Sequence, residues 1–238
     1  MRRRKNGLYI ADGAGAADET LQRAVWDGDC PRVFLALNSG VDANSRGVNS
    51  DPLLVVAAYR GHLRIMQALL DHGAEPSAST VNGPALAAAI RSGHTRVAFS
   101  LLKSGALPKW QDAHLAALCG RARLLKAFLS GGTDVNQLEG IGGTAAVTLI
   151  MSAAFAGETD IIRVLIECGA DVNLSNENGW TALLSAASCG HVDVVKLLLS
   201  IGADANAAAG DGDTPMTVAA KEGHDEVVRL LKEMRAAR

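Results

Sequence analysis

The sequence predicts an all-α solenoid of stacked helix-turn-helix units joined by hairpin-like finger loops. Three observations carry this. A glycine followed by another twelve residues on recurs as Gly28/Gly40, Gly61/Gly73, Gly93/Gly105, Gly120/Gly132, Gly157/Gly169 and Gly190/Gly202, and a seventh start at Gly223 meets Arg235 in place of its second glycine. The starts lie 33, 32, 27, 37, 33 and 33 residues apart, a period typical of repeat arrays. Between the glycines of each pair runs an apolar segment, as in residues 157–173, GETDIIRVLIECGADVN, and 190–206, GHVDVVKLLLSIGADAN.

One period, read residue by residue, gives the elements. Residues 181–187, TALLSAA, form a short small-residue run that predicts a first helix ending at Gly190. Val192, Val194, Val195, Leu197, Leu198 and Leu199, with Asp193 and Lys196 polar between them, predict a second helix buried on most of its circumference. Gly190 can take a positive φ and turn the first helix back into the second, and Gly202 ends the second in the same way. Asp204, Ala205 and Asn206 with the Gly/Asp-rich residues after them make a turn. A single unit cannot bury its own apolar face, so stacked units must share a core. Polar Glu19, Gln22 and Arg23 in the first unit, and Lys221, Glu222, Arg229, Lys232 and Glu233 in the seventh, mark these as caps. The expected organisation is a mobile basic and Gly/Ala-rich tail over 1–17 and a repeat domain over 18–238.

At these residues the chain resembles the ankyrin repeat family. That family's pattern runs Thr-Pro-Leu-His-x-Ala-Ala, Gly-His, Val-Val-x-Leu-Leu, Gly-Ala-Asp-Val-Asn. Residues 214–220, TPMTVAA, carry its first block and residues 169–173, GADVN, its last. The resemblance spans about residues 18–231 in some seven repeats. Residues 52–55, PLLV, and 148–151, TLIM, lack the family's histidine, which only His114 keeps. The resemblance implies recognition of other proteins.

Composition narrows the alternatives. Aromatic content is 4%, which suits thin, closely stacked helices. The net charge of -2 gives no broad reason to expect nucleic acid. No apolar run approaches the roughly 18 residues of a membrane span. Arg2, Arg3, Arg4 and Lys5 are basic, but no apolar stretch follows, so a secretory signal is not expected; nuclear targeting is the alternative to a solvated tail. Cys119 and Cys189 sit at matched positions two repeats apart, about 20 Å at roughly 8–10 Å per helix layer, against the roughly 7 Å a disulfide allows. Reduced thiols, a cytoplasmic location and a monomer are expected.

The search for chemistry returns little. No CxxC or HExxH is present. His62, His94, His191 and His224 each follow a turn glycine in a separate repeat, which predicts turn and helix-start hydrogen bonding rather than a metal site. Residues 140–144, GIGGT, lack the Lys-Ser/Thr ending and preceding strand of a phosphate loop. Asp211 and Asp213 fall short of six calcium ligands. The expectation is no enzyme, no cofactor and no metal.

The candidate site comes from position. Two residues before each turn glycine stand Trp26, Tyr59, Arg91, Leu118, Phe155, Ser188 and Lys221, with Arg60 beside Tyr59. Trp26, Tyr59, Arg60, Arg91, Leu118 and Phe155 are expected to line one continuous concave strip that anchors a partner protein. The structural alternatives are Trp26 capping the stack end and Phe155 packing under its long loop. Two fingers depart from the period: one is clipped, 6 residues from Gly105 to Gln111, and one is enlarged, 16 from Gly132 to Thr148. Trp110, Ile141 and Trp180 make the fingers a second candidate contact. Asn44, Asn136 and Asn206 share an offset from the preceding apolar run similar to the sites of ankyrin-directed asparagine hydroxylases, so a regulatory target is the first alternative function. A turn-stabilising role explains them equally. A ligand-binding or enzymatic protein is the second alternative.

Overall fold

The computed structural model describes residues 14–47, 50–140 and 145–236. Of the mobile tail expected over residues 1–17, residues 1–13 lie outside the described residues, as does the finger tip at 141–144 with Ile141. The first helix begins at Ala14, so the boundary expected at Asp18 falls within it. The chain divides into two compact units, Met1–Leu107 and Pro108–Arg238. The division falls in the clipped finger of a domain that the sequence presents as continuous.

The first unit holds three helix pairs: α1 (Ala14–Asp27) with α2 (Cys30–Asn38), α3 (Leu53–Arg60) with α4 (Leu63–Asp71), and α5 (Ala85–Arg91) with α6 (Thr95–Lys103). First helices pack in one row, α1 on α3 on α5, and second helices in another, α2 on α4 on α6. The finger between α4 and α5 closes as a two-residue antiparallel ladder, β1 (Ser79–Thr80) on β2 (Gly83–Pro84). The second unit holds α7 (Trp110–Leu118) with α8 (Ala122–Ser130), α9 (Leu149–Ala156) with α10 (Thr159–Glu167), α11 (Ala182–Ser188) with α12 (Val192–Ser200), and α13 (Pro215–Lys221) with α14 (Asp225–Ala236). Its rows repeat the plan: α7–α9–α11–α13 and α8–α10–α12–α14.

Each core follows from the periodicity. Paired alanines on the first helices, such as Ala57/Ala58 and Ala186/Ala187, are fully buried. Their small volume lets neighbouring helices approach closely. The second helices fill the rest with Ile65, Leu69, Leu124, Ile161, Leu165 and Leu198. Three first helices start on a threonine whose hydroxyl accepts the amide three residues on: Thr148 from Met151, Thr181 from Leu184 and Thr214 from Thr217. Each satisfies an amide that the first turn leaves without a partner. At α7 the order is reversed, and Asp112 accepts the Lys109 amide at 2.8 Å.

Two kinds of bond link consecutive repeats. The rings of His62, His191 and His224 reach back to the preceding repeat. His62 Nε2 lies 3.3 Å from the Trp26 carbonyl, His191 Nε2 2.9 Å from that of Phe155, and His224 Nε2 3.0 Å from that of Ser188. The expected helix-start role is not what these rings do, for none of His62, His94 and His191 caps its own helix through its side chain. The rings lie over the turn glycines: a Cβ on Gly190, at φ 72°, would stand 2.5 Å from His224 Nδ1. At Gly223 a Cβ would meet nothing within 4 Å.

The second link is an asparagine clamp. Asn173 donates to the Gly202 carbonyl at 3.1 Å and accepts the Asp204 amide at 2.9 Å. Asn136 holds Gly169 and Asp171 in the same way, and Asn44 holds Gly73 and Glu75. Among the described residues Asn206 makes no such bridge; Arg235 stands where the receiving glycine would be. Asn173→Ala is therefore expected to lower stability by about 1–2 kcal/mol through two lost hydrogen bonds. Asn206→Ala should stay within about 0.5 kcal/mol, and chemical denaturation of both variants compares them.

Candidate partner-binding surface

In the first unit the expected anchors come together. Trp26 ends α1 at 51% exposure and Tyr59 ends α3 at 54%. Helical geometry places both two residues before a turn glycine, clear of the alanine pairs that fill the helix contacts. The Arg60 guanidinium lies over the Trp26 ring, 4.9 Å from its centroid, within range of a cation–π attraction. Arg91 Nη2 donates to the Asn82 carbonyl at 2.7 Å, tying α5 to the β1–β2 finger. Trp26, Tyr59 and Arg91 line an open cavity of about 600 Å³ with Asp51, Val55, Val56, Thr80, Asn82 and Ala88, and Arg60 stands beside it, over the lining Trp26 ring.

In the second unit Phe155 is 60% exposed and Leu118 37%. Ser188, at the matching place on α11, is half-buried rather than exposed, and its hydroxyl donates to the Ser185 carbonyl at 2.9 Å. Trp180 is half-buried against Leu184, Ala209 and Val218, and its indole N–H donates to Ser185 Oγ at 2.9 Å. That packing gives Trp180 a core role at the foot of its finger. Trp110 is also half-buried, its ring edge-on to His114 at 5.2 Å between centroids. On the last first-row helix, Lys221 grips Asp213 at 2.6 Å, holding that carboxyl below its ordinary pKa and raising its own.

The asparagines proposed for modification differ among themselves. The side-chain amides of Asn44 and Asn136 are engaged in clamps, while Asn206 is exposed without one among the described residues. None of the four cysteines is in a disulfide. No group of three or more potential metal ligands is brought together among the described residues. No helix among them is long and apolar enough to cross a membrane.

Sequence reasoning missed five exposed apolar side chains among the described residues: Phe34 and Leu35 on α2, Val81 at the tip of the β1–β2 finger, Leu107 on the clipped finger and Leu138 on the enlarged one. The signal for Val81 and Leu107 was present, since both sit among turn residues with no apolar neighbours to pack on. Phe34 and Leu35 lie in the unbroken apolar run VFLAL, which hides its faces.

A buried histidine bears on the pH dependence of stability. His114, on α7, is 4% exposed, and its Nδ1 lies 2.9 Å from Ser152 Oγ on α9. Burial disfavours the imidazolium and lowers its pKa from 6.5 to about 4. The unfolded chain therefore binds a proton between those values that the folded chain does not. The contribution is fully present above pH 6.5 and is lost as pH falls towards 4, to a total of about 3 kcal/mol at most. His114→Met, which installs the residue that Met151 supplies at the matching place in the next repeat, should flatten the stability profile over this window. Equal slopes for both proteins in denaturant titrations from pH 7 to 4 would exclude His114 as their source.

The family models for ankyrin repeats match residues 21–112, 113–209 and 149–237. The chain belongs to the ankyrin repeat family, whose members generally mediate protein–protein interactions. It is 25% identical over 167 residues to the Danio rerio protein described as "Putative palmitoyltransferase ZDHHC13", covering 65% of this chain and 25% of that protein. It is 34% identical over 68 residues to the Rattus norvegicus ankyrin repeat and SAM domain-containing protein 6, covering 29% of this chain and 7% of that protein. The chain thus spans a quarter or less of either relative. The crystal structure of the human ASB11 ankyrin repeat domain matches with a TM-score of 0.76 at 24% identity, covering 89% of this chain and 96% of that one. This is a likeness of fold.

Proposed function

We propose that the chain is an interaction scaffold that holds a partner protein through the exposed ends of its first-row helices. The observation that carries this is positional. Trp26 and Tyr59 in the first unit, and Leu118 and Phe155 in the second, occupy one register position and are exposed in all four cases. Repeat arrays display such positions at regular spacing. Large side chains left in water there are a cost that monomeric proteins usually avoid or use. Arg60 and Arg91 add the residue type that, with Trp and Tyr, most often dominates interface energies. Recognition needs no covalent step. The thiols, none of them in a disulfide, support a cytoplasmic setting for this reading.

The test is Tyr59→Ala with Phe155→Ala. A central anchor truncated to alanine typically costs 2 kcal/mol or more, about thirtyfold in affinity. The double variant should lose the partners captured by the wild type while keeping its helical circular dichroism and melting temperature. Unfolding would show the side chains to be core. A folded variant with unchanged capture would place recognition elsewhere on the surface.

A further inference from the structure

We infer that the cavity bounded by α1, α3, α5 and the β1–β2 finger takes an extended partner segment in which an acidic residue stands next to a large apolar one. This rests on the protein-binding reading above and gives the partner its chemistry. The apolar side chain lies against Trp26, Tyr59 and Val56, and the carboxylate meets the guanidinium groups.

Charge decides the occupant. Four ion pairs form among the described residues, and neither Arg60 nor Arg91 belongs to any of them. Arg91 spends one N–H on the Asn82 carbonyl, and a guanidinium carries five. Arg60 has the Trp26 ring beneath it. A partner that covers these groups strips their water and must return acceptors, and a carboxylate does so with bidentate geometry. Among nearby acids, Asp27 is already paired with Arg23 at 3.6 Å, and Asp51 lies on the cavity wall. The lining itself holds one arginine, Arg91, and one carboxylate, Asp51, and Arg60 over the lining Trp26 ring adds a second cation beside it.

The surface is also preformed. Arg91 pins the finger wall to α5, and Arg60 stacked on Trp26 restrains the indole. Binding then costs little ordering of either side chain. Exposed aromatics beside arginines also suit single-stranded nucleic acid. Asp51 in the lining disfavours it, since a strand charged at every nucleotide cannot keep its phosphates clear of that carboxylate, whereas a single side-chain carboxylate can be placed on the arginines.

Random 12-residue peptides displayed on phage, selected against the whole chain, provide the probe. Enriched sequences should place Asp or Glu beside Leu, Phe, Trp or Met. As synthetic fluorescent peptides they should bind Arg60→Gln about tenfold more weakly than the wild type, and more weakly again as salt rises. Arg60→Lys, which keeps the charge, should lose only a few-fold. Arg32→Gln, whose arginine pairs with Asp29 on α2, should bind as the wild type does. Unchanged melting temperatures exclude unfolding as the cause. Enriched peptides lacking acids, affinity indifferent to Arg60→Gln, or no enrichment would each overturn the assignment. Arg60-dependent binding of a single-stranded RNA 12-mer in competition with the peptides would overturn it in favour of nucleic acid. The scaffold reading survives all of these, since it falls only with the Tyr59/Phe155 experiment.

Discussion

Leu37→Ala is expected to lower stability by about 2–5 kcal/mol, and Leu35→Ala, two residues away on the same helix, by less than about 0.5 kcal/mol. Leu37 is 3% exposed, on a helix packed against α1 and α4. Truncation there removes buried methyl groups and leaves a cavity that the backbone cannot fully close. Leu35 is 73% exposed and leaves no cavity. Chemical denaturation measures both. The comparison is sharp because the residue type, helix and substitution are identical and only burial differs. A similar loss in both variants would mean that Leu35 is covered in solution.

Gly190→Val should cost about 2–4 kcal/mol, for two separate reasons. At φ 72° a β-branched residue is strained by about 1–3 kcal/mol. Its Cβ would also strike the His224 ring and push it off the Ser188 carbonyl, losing a further hydrogen bond of about 1 kcal/mol. For a chain of this size the loss corresponds to roughly 5–15 °C in melting temperature. Gly202→Val separates the two terms, since φ there is 96° but a Cβ would meet nothing within 4 Å. Ser188→Ala should cost under about 1 kcal/mol, as its hydroxyl bonds only to the Ser185 carbonyl and the adjoining Cys189. Equal melting temperatures for Gly190→Val and Gly202→Val would remove the ring from the account.

The helices were legible because their punctuation is local. A turn residue at positive φ almost requires glycine, so the pairs at Gly157/Gly169 and Gly190/Gly202 fix both ends of each second helix before any tertiary contact is known. Exposure at Trp26 and Tyr59 was legible for a related reason: the alanine pairs beside them already fill the helix contacts. Where reasoning fell short, the deciding partner lay a full repeat away. His191 reaches Phe155, and Trp180 reaches Ala209 and Val218. A period shows that repeats stack but not which side chain crosses the layer. The β1–β2 ladder rests on three-dimensional closure as well, since residues 79–84, STVNGP, read locally as a turn.

The asparagine clamps also rank the repeats by how readily each opens. A clamp binds a loop to the next repeat's glycine, so opening one repeat must break the clamp that reaches into it. The pair α9–α10 is held this way by Asn136 and α11–α12 by Asn173, whereas among the described residues α13–α14 makes the His224 link without a matching clamp. Amide protons of α14 thus sit behind a smaller opening free energy than those of α10 or α12, and exchange with solvent deuterium sooner. The pair α13–α14 is expected to open ahead of α9–α10 and α11–α12.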